Sequence, residues 1–128
     1  MDYREYNGTS LAYMGDAIMS LLVREKLLGQ GYQKAKVLQK MSESWVSAKA
    51  QAYFLEKLKE QEFFTEEEWA IYLRGRNTHS QSKAKNADVI TYRMSTGIEA
   101  IFGYLYLSRQ QDRLLELWHA IEEIGEYR

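Results

Sequence analysis

The apolar positions between residues 10 and 28 recur at helical spacing and predict a long amphipathic helix. We expect its buried face to consist of Leu11, Met14, Ile18, Leu21, Leu22 and Leu28. Asp16 lies on another side of this helix, and no side chain three or four residues from it is a cation. A buried carboxylate without a partner is costly, so Asp16 must face solvent in a groove or bind a positive group. The alternative is an ordinary surface carboxylate or a tertiary ion pair.

A second stretch, residues 91 to 107, has the same pattern. It is apolar on nearly all sides and carries one acid, Glu99, again without a cation at helical spacing. Glycine inside a helix costs roughly 1 kcal/mol relative to alanine, so Gly15, Gly97 and Gly103 indicate close contact between helices. Two tightly packed helices would bring Asp16 and Glu99 together, and a divalent cation would offset their repulsion.

Helical periodicity continues through most of the remaining chain. Residues from about 33 to 59 follow it, with a bend predicted among Ser42, Ser44 and Ser47. Thr65 and Glu68 have the spacing of a capping box, and a short helix after them should end near residue 75. A last helix is predicted from about residue 110 to 124, and Thr9 or Ser10 is expected to cap the first one. The pattern predicts an all-α fold.

Composition agrees with one helical domain. The chain has 128 residues, of which 45% are hydrophobic and 27% charged, with no proline. That length is sufficient for a single core. With no cysteine, disulfides and thiolate zinc sites are excluded, which fits a reducing cytoplasm. No apolar run has the length of a membrane span or the form of a signal peptide, so no membrane partner is expected.

The segment from 75 to 89 has no helical period and is rich in polar and basic residues. We predict that this segment and its borders contact the phosphates and riboses of a nucleic acid through Arg74, Arg76, His79, Lys83 and Lys85. Lys49 belongs to a second basic stretch, residues 24 to 59, and is a further candidate contact. The alternative for these residues is a solvated surface without a ligand.

Several other chemistries are excluded by the motifs. The chain has no phosphate-binding glycine loop and no dinucleotide fingerprint. Its two histidines, His79 and His119, are far apart in sequence, and neither has a partner at ligand spacing. A histidine metal cage or a Ser-His-Asp triad is therefore not expected.

Two motifs resemble those of the ribonuclease III family. The run YMGDA, residues 13 to 17, resembles the signature helix of that family, and EAIFGYLYL, residues 99 to 107, resembles its second acidic motif. The run RGRN at 74 to 77, Lys85-Asn86 and the run TYR at 91 to 93 resemble the Mini-ribonuclease III branch. The similarity extends over nearly the whole chain.

The resemblance implies a ribonuclease III endonuclease-domain-like helical bundle, all-α and homodimeric through its signature helices. Residues 1–128 would form a single catalytic domain without a double-stranded-RNA-binding domain. Asp16 and Glu99 would be the catalytic and metal-binding residues, holding Mg²⁺, which Mn²⁺ could replace. The implied activity is endonucleolytic cleavage of double-stranded RNA, with maturation of the 23S (large-subunit) ribosomal RNA precursor as the cellular role. A ribosomal protein would be a further partner.

The chain departs from the family pattern at several acidic positions. Acids expected four and seven residues before Asp16 are Ala12 and Thr9 here, and the acid expected three before Glu99 is Thr96. Only Asp16 and Glu99 can be transferred as ligands. Two other functions therefore stay open. One is a non-catalytic helical dimer that binds RNA or a ribosomal protein and has a degenerate metal site. The other is a metal-dependent phosphohydrolase acting on small nucleotides.

Overall fold

The computed structural model describes residues 1–79 and 87–128, and within these ranges all regular structure is helical. The α-helices are α1 (Gly8–Gly29), α2 (Ala35–Val46), α3 (Ala48–Glu60), α4 (Glu66–Arg76), α5 (Ala87–Leu107) and α6 (Gln111–Ile124). Two short 3₁₀ turns, Tyr3–Glu5 and Asn77–His79, precede α1 and follow α4. The all-α prediction is confirmed. No helix of the described ranges has both the length and the apolarity to cross a lipid bilayer.

Local side-chain chemistry sets most helix boundaries. The Ser47 hydroxyl accepts from the Ala50 amide and starts α3 directly after α2, where the serine-rich bend is predicted. Thr65 and Glu68 form the predicted capping box of α4. The predicted cap of α1 is wrong, because the Asn7 side chain accepts from the Ser10 amide at 2.8 Å and the helix starts at residue 8.

The core forms around α5. Its residues Ile98, Ile101, Phe102 and Leu105 have no exposed surface. Helices α1, α3 and α4 pack directly on α5, and α6 closes the bundle with its buried residues Leu114, Leu117, Trp118 and Ile121. Because α1 makes its most extensive contact with α5, the two acidic helices lie side by side.

Two glycines allow α1 and α5 to touch backbone to backbone. A Cβ on Gly15 would collide with the Glu99 carbonyl oxygen, and one on Gly103 would collide with the carbonyl oxygen of Leu11. The helices run in opposite directions at this crossing, since Leu11 lies beside Gly103 and Gly15 beside Glu99. The close approach predicted from the glycines is confirmed.

The predicted buried face of α1 is partly wrong. Leu21 and Leu28 are 59% and 57% exposed, whereas Ala12, Met19 and Val23 are buried. The reason is the glycine contact, because the side of α1 that carries Gly15 turns toward α5. This rotation buries the apolar neighbours of the acid on α1 and leaves an apolar strip on the opposite side.

Candidate active site

The crossing of α1 and α5 brings the two predicted acids together. Asp16 follows Gly15 directly and is exposed, while Glu99, whose carbonyl touches Gly15, is half-buried. The two carboxyl groups are close enough for Asp16 to raise the pKa of Glu99. The predicted pairing of these acids, which lie far apart in the sequence, is present in the fold.

The carboxyl group of Glu99 titrates abnormally. Burial raises the pKa of Glu99 to about 8, and the Asp16 carboxylate acts in the same direction through repulsion. Without a cation, the pair therefore retains a proton at neutral pH. A bound positive charge would favour the fully ionised pair.

The donor set fits a hard divalent cation. Within residues 1–79 and 87–128, neither Asp16 nor Glu99 forms an ion pair, and no cluster of three or more His, Cys, Asp or Glu side chains surrounds them. Mg²⁺ is commonly bound by one or two carboxylates, with water and substrate phosphate oxygens completing its shell. Two facing carboxylates with an exposed side are suitable for that arrangement.

Neither of two positions where acids were expected supplies a further ligand. Thr96 is buried, and its hydroxyl donates to the Tyr92 carbonyl at 3.1 Å. The neighbouring Ser95 hydroxyl donates to the same carbonyl at 2.7 Å. Ala12 is buried and offers no polar atom. Asp16 and Glu99 are the carboxylates that this site contains.

The predicted RNA-binding cations have different surroundings. Arg74 donates to the backbone carbonyls of Arg4 and Tyr6, so its guanidinium fastens the N-terminal segment to α4. Arg76, at the end of the same helix, is half-buried. Lys49 is exposed in the first turn of α3.

Of the other predicted RNA contacts, His79 lies within the described residues. His79 ends the 3₁₀ turn Asn77–His79, which packs against α4, α5 and α1. Lys83 and Lys85 lie outside the described residues. The structure thus brings Asp16 and Glu99 together and places the basic C-terminal end of α4 beside the helices that carry them.

Two neighbours of Arg76 were not found from the sequence. Tyr72 lies under its guanidinium, and Asn77 accepts from its Nε. The four-residue spacing of Tyr72 and Arg76 on a helix was the available signal. Nothing in the sequence pattern indicated Asn77.

Comparison with known proteins identifies the family. The family model described as "Ribonuclease III domain" matches residues 9–110, which include both acids and the whole α1–α5 crossing. The chain belongs to the ribonuclease III family. The resemblance seen in the two acidic motifs is thereby confirmed.

Relatives within the family are similar over nearly their full length. A Mini-ribonuclease 3 of Enterococcus faecalis is 48% identical over 127 residues, which cover 98% of this chain and 96% of that protein. A Mini-ribonuclease 3 of Staphylococcus aureus is 50% identical over 115 residues, which cover 90% and 86%. A crystal structure of a Fusobacterium nucleatum protein superposes with a TM-score of 0.76 at 31% identity, covering 96% of this chain and 94% of that one.

Proposed function

We propose that this member of the ribonuclease III family is a Mg²⁺-dependent endoribonuclease that cleaves double-stranded RNA and matures the 23S ribosomal RNA precursor in the bacterial cytoplasm. The observation that carries the proposal is the pairing of Asp16 and Glu99 at a glycine-lined helix crossing. Their mutual repulsion and the burial of Glu99 disfavour the ionised pair unless a cation binds. The relatives named Mini-ribonuclease 3 support the RNA substrate.

Each acid has a distinct part in the site. Asp16 is exposed and can face both the ion and the RNA backbone, while Glu99 holds the inner side of the same site. Glu99 must release its proton to solvent before it can act as a ligand, because its pKa is raised to about 8. When bound, Mg²⁺ supplies Lewis acidity, a more acidic water and charge neutralisation at the scissile phosphate. Mn²⁺, with similar oxygen-ligand chemistry, is expected to substitute.

Duplex RNA is bound, in this proposal, by the surface of the catalytic domain itself. Double-stranded RNA is recognised mainly by shape, phosphates and 2′-hydroxyls, which requires spaced cations and hydrogen-bond donors. Arg76 lies at the end of α4, and Lys49 and the loop lysines add charge elsewhere. Arg74 contributes indirectly, because its contacts with the carbonyls of Arg4 and Tyr6 hold the N-terminal segment in place.

A homodimer accounts for the apolar strip on α1. Tyr13 is 82% exposed, and it shares the solvent side of α1 with Ala17, Leu21 and Leu28. Exposed apolar patches on a helix are typical of interaction surfaces, and a two-fold dimer covers the same patch on both copies. A ribosomal protein remains a further candidate partner.

The test compares a labelled RNA duplex with a single strand of the same sequence, in Mg²⁺ and in excess chelator. We expect endonucleolytic products only from the duplex with metal, and recovery of cleavage when Mn²⁺ replaces Mg²⁺. Tight duplex binding without any product in either metal would overturn the proposal and favour the non-catalytic RNA-binding dimer. Hydrolysis of mononucleotides with an intact duplex would favour the small-nucleotide phosphohydrolase.

A further inference from the structure

The guanidinium of Arg76 is held from two sides. Its Nε donates to the Oδ1 of Asn77 at 3.1 Å, and its central carbon lies 6.0 Å from the centroid of the Tyr72 ring. Tyr72 precedes Arg76 by one turn of α4, and Asn77 is the next residue, so both contacts are built into the end of one helix. An arginine on a protein surface usually samples many rotamers, and these contacts restrict it.

Tyr72 is a rigid and uncharged platform. It is 3% exposed, and its ring stacks on Trp69 with centroids 4.5 Å apart. A Cβ on Gly97 would collide with the ring, so α5 presses directly on it. Burial raises the pKa of Tyr72 to about 12, so the hydroxyl stays neutral at physiological pH.

Asn77 fixes the other side of Arg76. It is the C-cap of α4, and its backbone N–H donates to the carbonyls of Leu73 and Gly75. The 3₁₀ turn that starts at Asn77 packs against α1 and α5, the helices that carry Asp16 and Glu99. The Arg76 guanidinium is thus connected to the same rigid frame as the two carboxylates.

Apart from a contact with the Tyr72 hydroxyl, the arrangement leaves the terminal nitrogens of Arg76 for another partner. Oδ1 of Asn77 takes only the Nε proton, and in the described ranges no carboxylate lies within ion-pair distance of Arg76. The remaining segment, 80–86, contains no Asp or Glu in its sequence. The Nη groups of a guanidinium form a planar fork that matches two phosphate oxygens.

We propose that Tyr72 and Asn77 are positioning residues that hold Arg76 ready to bind a phosphate of the duplex RNA substrate. The inference rests on the proposed function, since it takes double-stranded RNA as the ligand. An arginine already fixed in its binding conformation loses less conformational entropy on binding. Removing either support should therefore weaken RNA binding through Arg76 and through no other group.

A double-mutant cycle on duplex affinity tests this positioning role. Binding of a fluorescent RNA duplex is measured in chelator, where no cleavage occurs, for Asn77→Ala, Arg76→Ala and the double variant. We expect Arg76→Ala to weaken binding about tenfold and Asn77→Ala three- to fivefold. In the Arg76→Ala background, Asn77→Ala should have no further effect. Tyr72→Leu, checked for retained helicity, should show the same dependence on Arg76, with Tyr53→Phe as an unaffected aromatic control.

The outcomes that overturn the inference are distinct from those that overturn the proposed function. A purely structural Asn77 would lower affinity equally in both backgrounds, in parallel with the melting temperature, and the inference would be wrong. An unchanged affinity in Asn77→Ala, or in Arg76→Ala, would also overturn it. Each of these results would leave metal-dependent duplex cleavage by Asp16 and Glu99 standing, because that activity is measured separately.

Discussion

Glu99 is a carboxyl group whose charge depends on its surroundings. Because it is half-buried on α5 and faces the Asp16 carboxylate, Glu99 has a pKa of about 8 and holds its proton up to that pH. A carboxyl group in an unfolded chain has a pKa near 4.5, so the folded protein binds this proton more strongly than the unfolded chain does. The site is therefore destabilised when it becomes fully ionised without a metal.

The first prediction concerns the pH dependence of stability. Since folding raises the pKa of Glu99, its stabilising contribution is complete below about pH 4.5 and is lost as the pH rises through about 8. In chelator, the free energy of unfolding in urea should fall over this range by an amount on the order of 1 kcal/mol per pH unit from this group. Glu99→Gln should remove that part of the slope, and Mg²⁺ at pH 8 should restore stability to the wild-type protein. An identical pH slope in both proteins would contradict the raised pKa of Glu99.

Some residues of the candidate site could be predicted from the sequence. Asp16 and Glu99 could be found because each is an isolated acid on an apolar helix that also carries glycine. The role of Arg74 could not be found, because its partners are backbone carbonyls of Arg4 and Tyr6, which have no sequence signature. The hydrogen bond from the Thr96 hydroxyl to the Tyr92 carbonyl could not be predicted either, since it depends on the local helix geometry.

At the scale of the elements, the α1–α5 crossing determines the site. Its backbone contact sets the separation of the two acids, and any side chain at Gly15 or Gly103 would push the helices apart. The same contact determines which side of α1 is buried. The crossing therefore links the packing of the core to the geometry of the carboxylate pair.

The second prediction tests this crossing by adding one methyl group. Gly15→Ala should lower the free energy of unfolding by about 1–3 kcal/mol, because the new Cβ collides with backbone. Gly29→Ala is the matched control, since nothing lies within 4 Å of its Cβ position at the end of α1. That change should be neutral or stabilising by up to about 1 kcal/mol. Equal losses in the two variants, measured by urea unfolding, would contradict the close crossing.

The third prediction concerns the basic border of α4 and the segment that follows it. Arg76→Ala combined with Lys85→Ala should weaken duplex binding and reduce the slope of log affinity against log salt by roughly one unit per lost phosphate contact. Single-turnover cleavage at saturating protein should change much less, because the proposed metal ligands Asp16 and Glu99 lie on α1 and α5. Arg128→Ala, an exposed C-terminal cation, serves as control. An unchanged salt slope with slower cleavage would instead place these residues in catalysis or folding.

Sequence patterns within a few residues predicted the helix boundaries better than they predicted which side of each helix is buried. The break at Ser47 and the capping box at Thr65 are determined by side chains a few residues away, so they were recognisable. The buried side of α1 is determined by contact with a helix far along the chain. Leu21 and Leu28 have the same sequence pattern as core leucines although both are exposed.

At the scale of the whole molecule, the exposed strip of α1 predicts assembly. Leu21 and Leu28 lie one above the other at a seven-residue spacing, with Tyr13 at the same side of the helix. These residues are solvent-exposed in a single chain and would be covered by a second copy. Leu21 and Leu28 were predicted to be core residues. Their apolar character is explained if they pack in a dimer interface instead of the core.

The fourth prediction is that Leu21→Glu converts the protein to a monomer. In a two-fold dimer, a glutamate at this position would lie close to the same glutamate of the second copy. The two negative charges would repel each other within an apolar contact, which destabilises the dimer. Leu115→Glu, which changes a leucine that is 44% exposed on α6, should leave the dimer intact. Sedimentation at micromolar concentration distinguishes the two. A wild-type protein that sediments as a monomer while fully active on duplex RNA would contradict the dimer.

The central claim is that Asp16 and Glu99 together bind the metal ion that makes this chain a nuclease. The most direct measurement is single-turnover cleavage of an RNA duplex across a Mg²⁺ titration for Asp16→Asn and Glu99→Gln, with Glu123→Gln on α6 as the control carboxylate. Both site variants should lose about a thousandfold or more in rate at every Mg²⁺ concentration, with helicity unchanged, because the amides keep the volume but not the charge. The control should cleave like the wild type. Turnover near the wild-type rate in either site variant would contradict the claim.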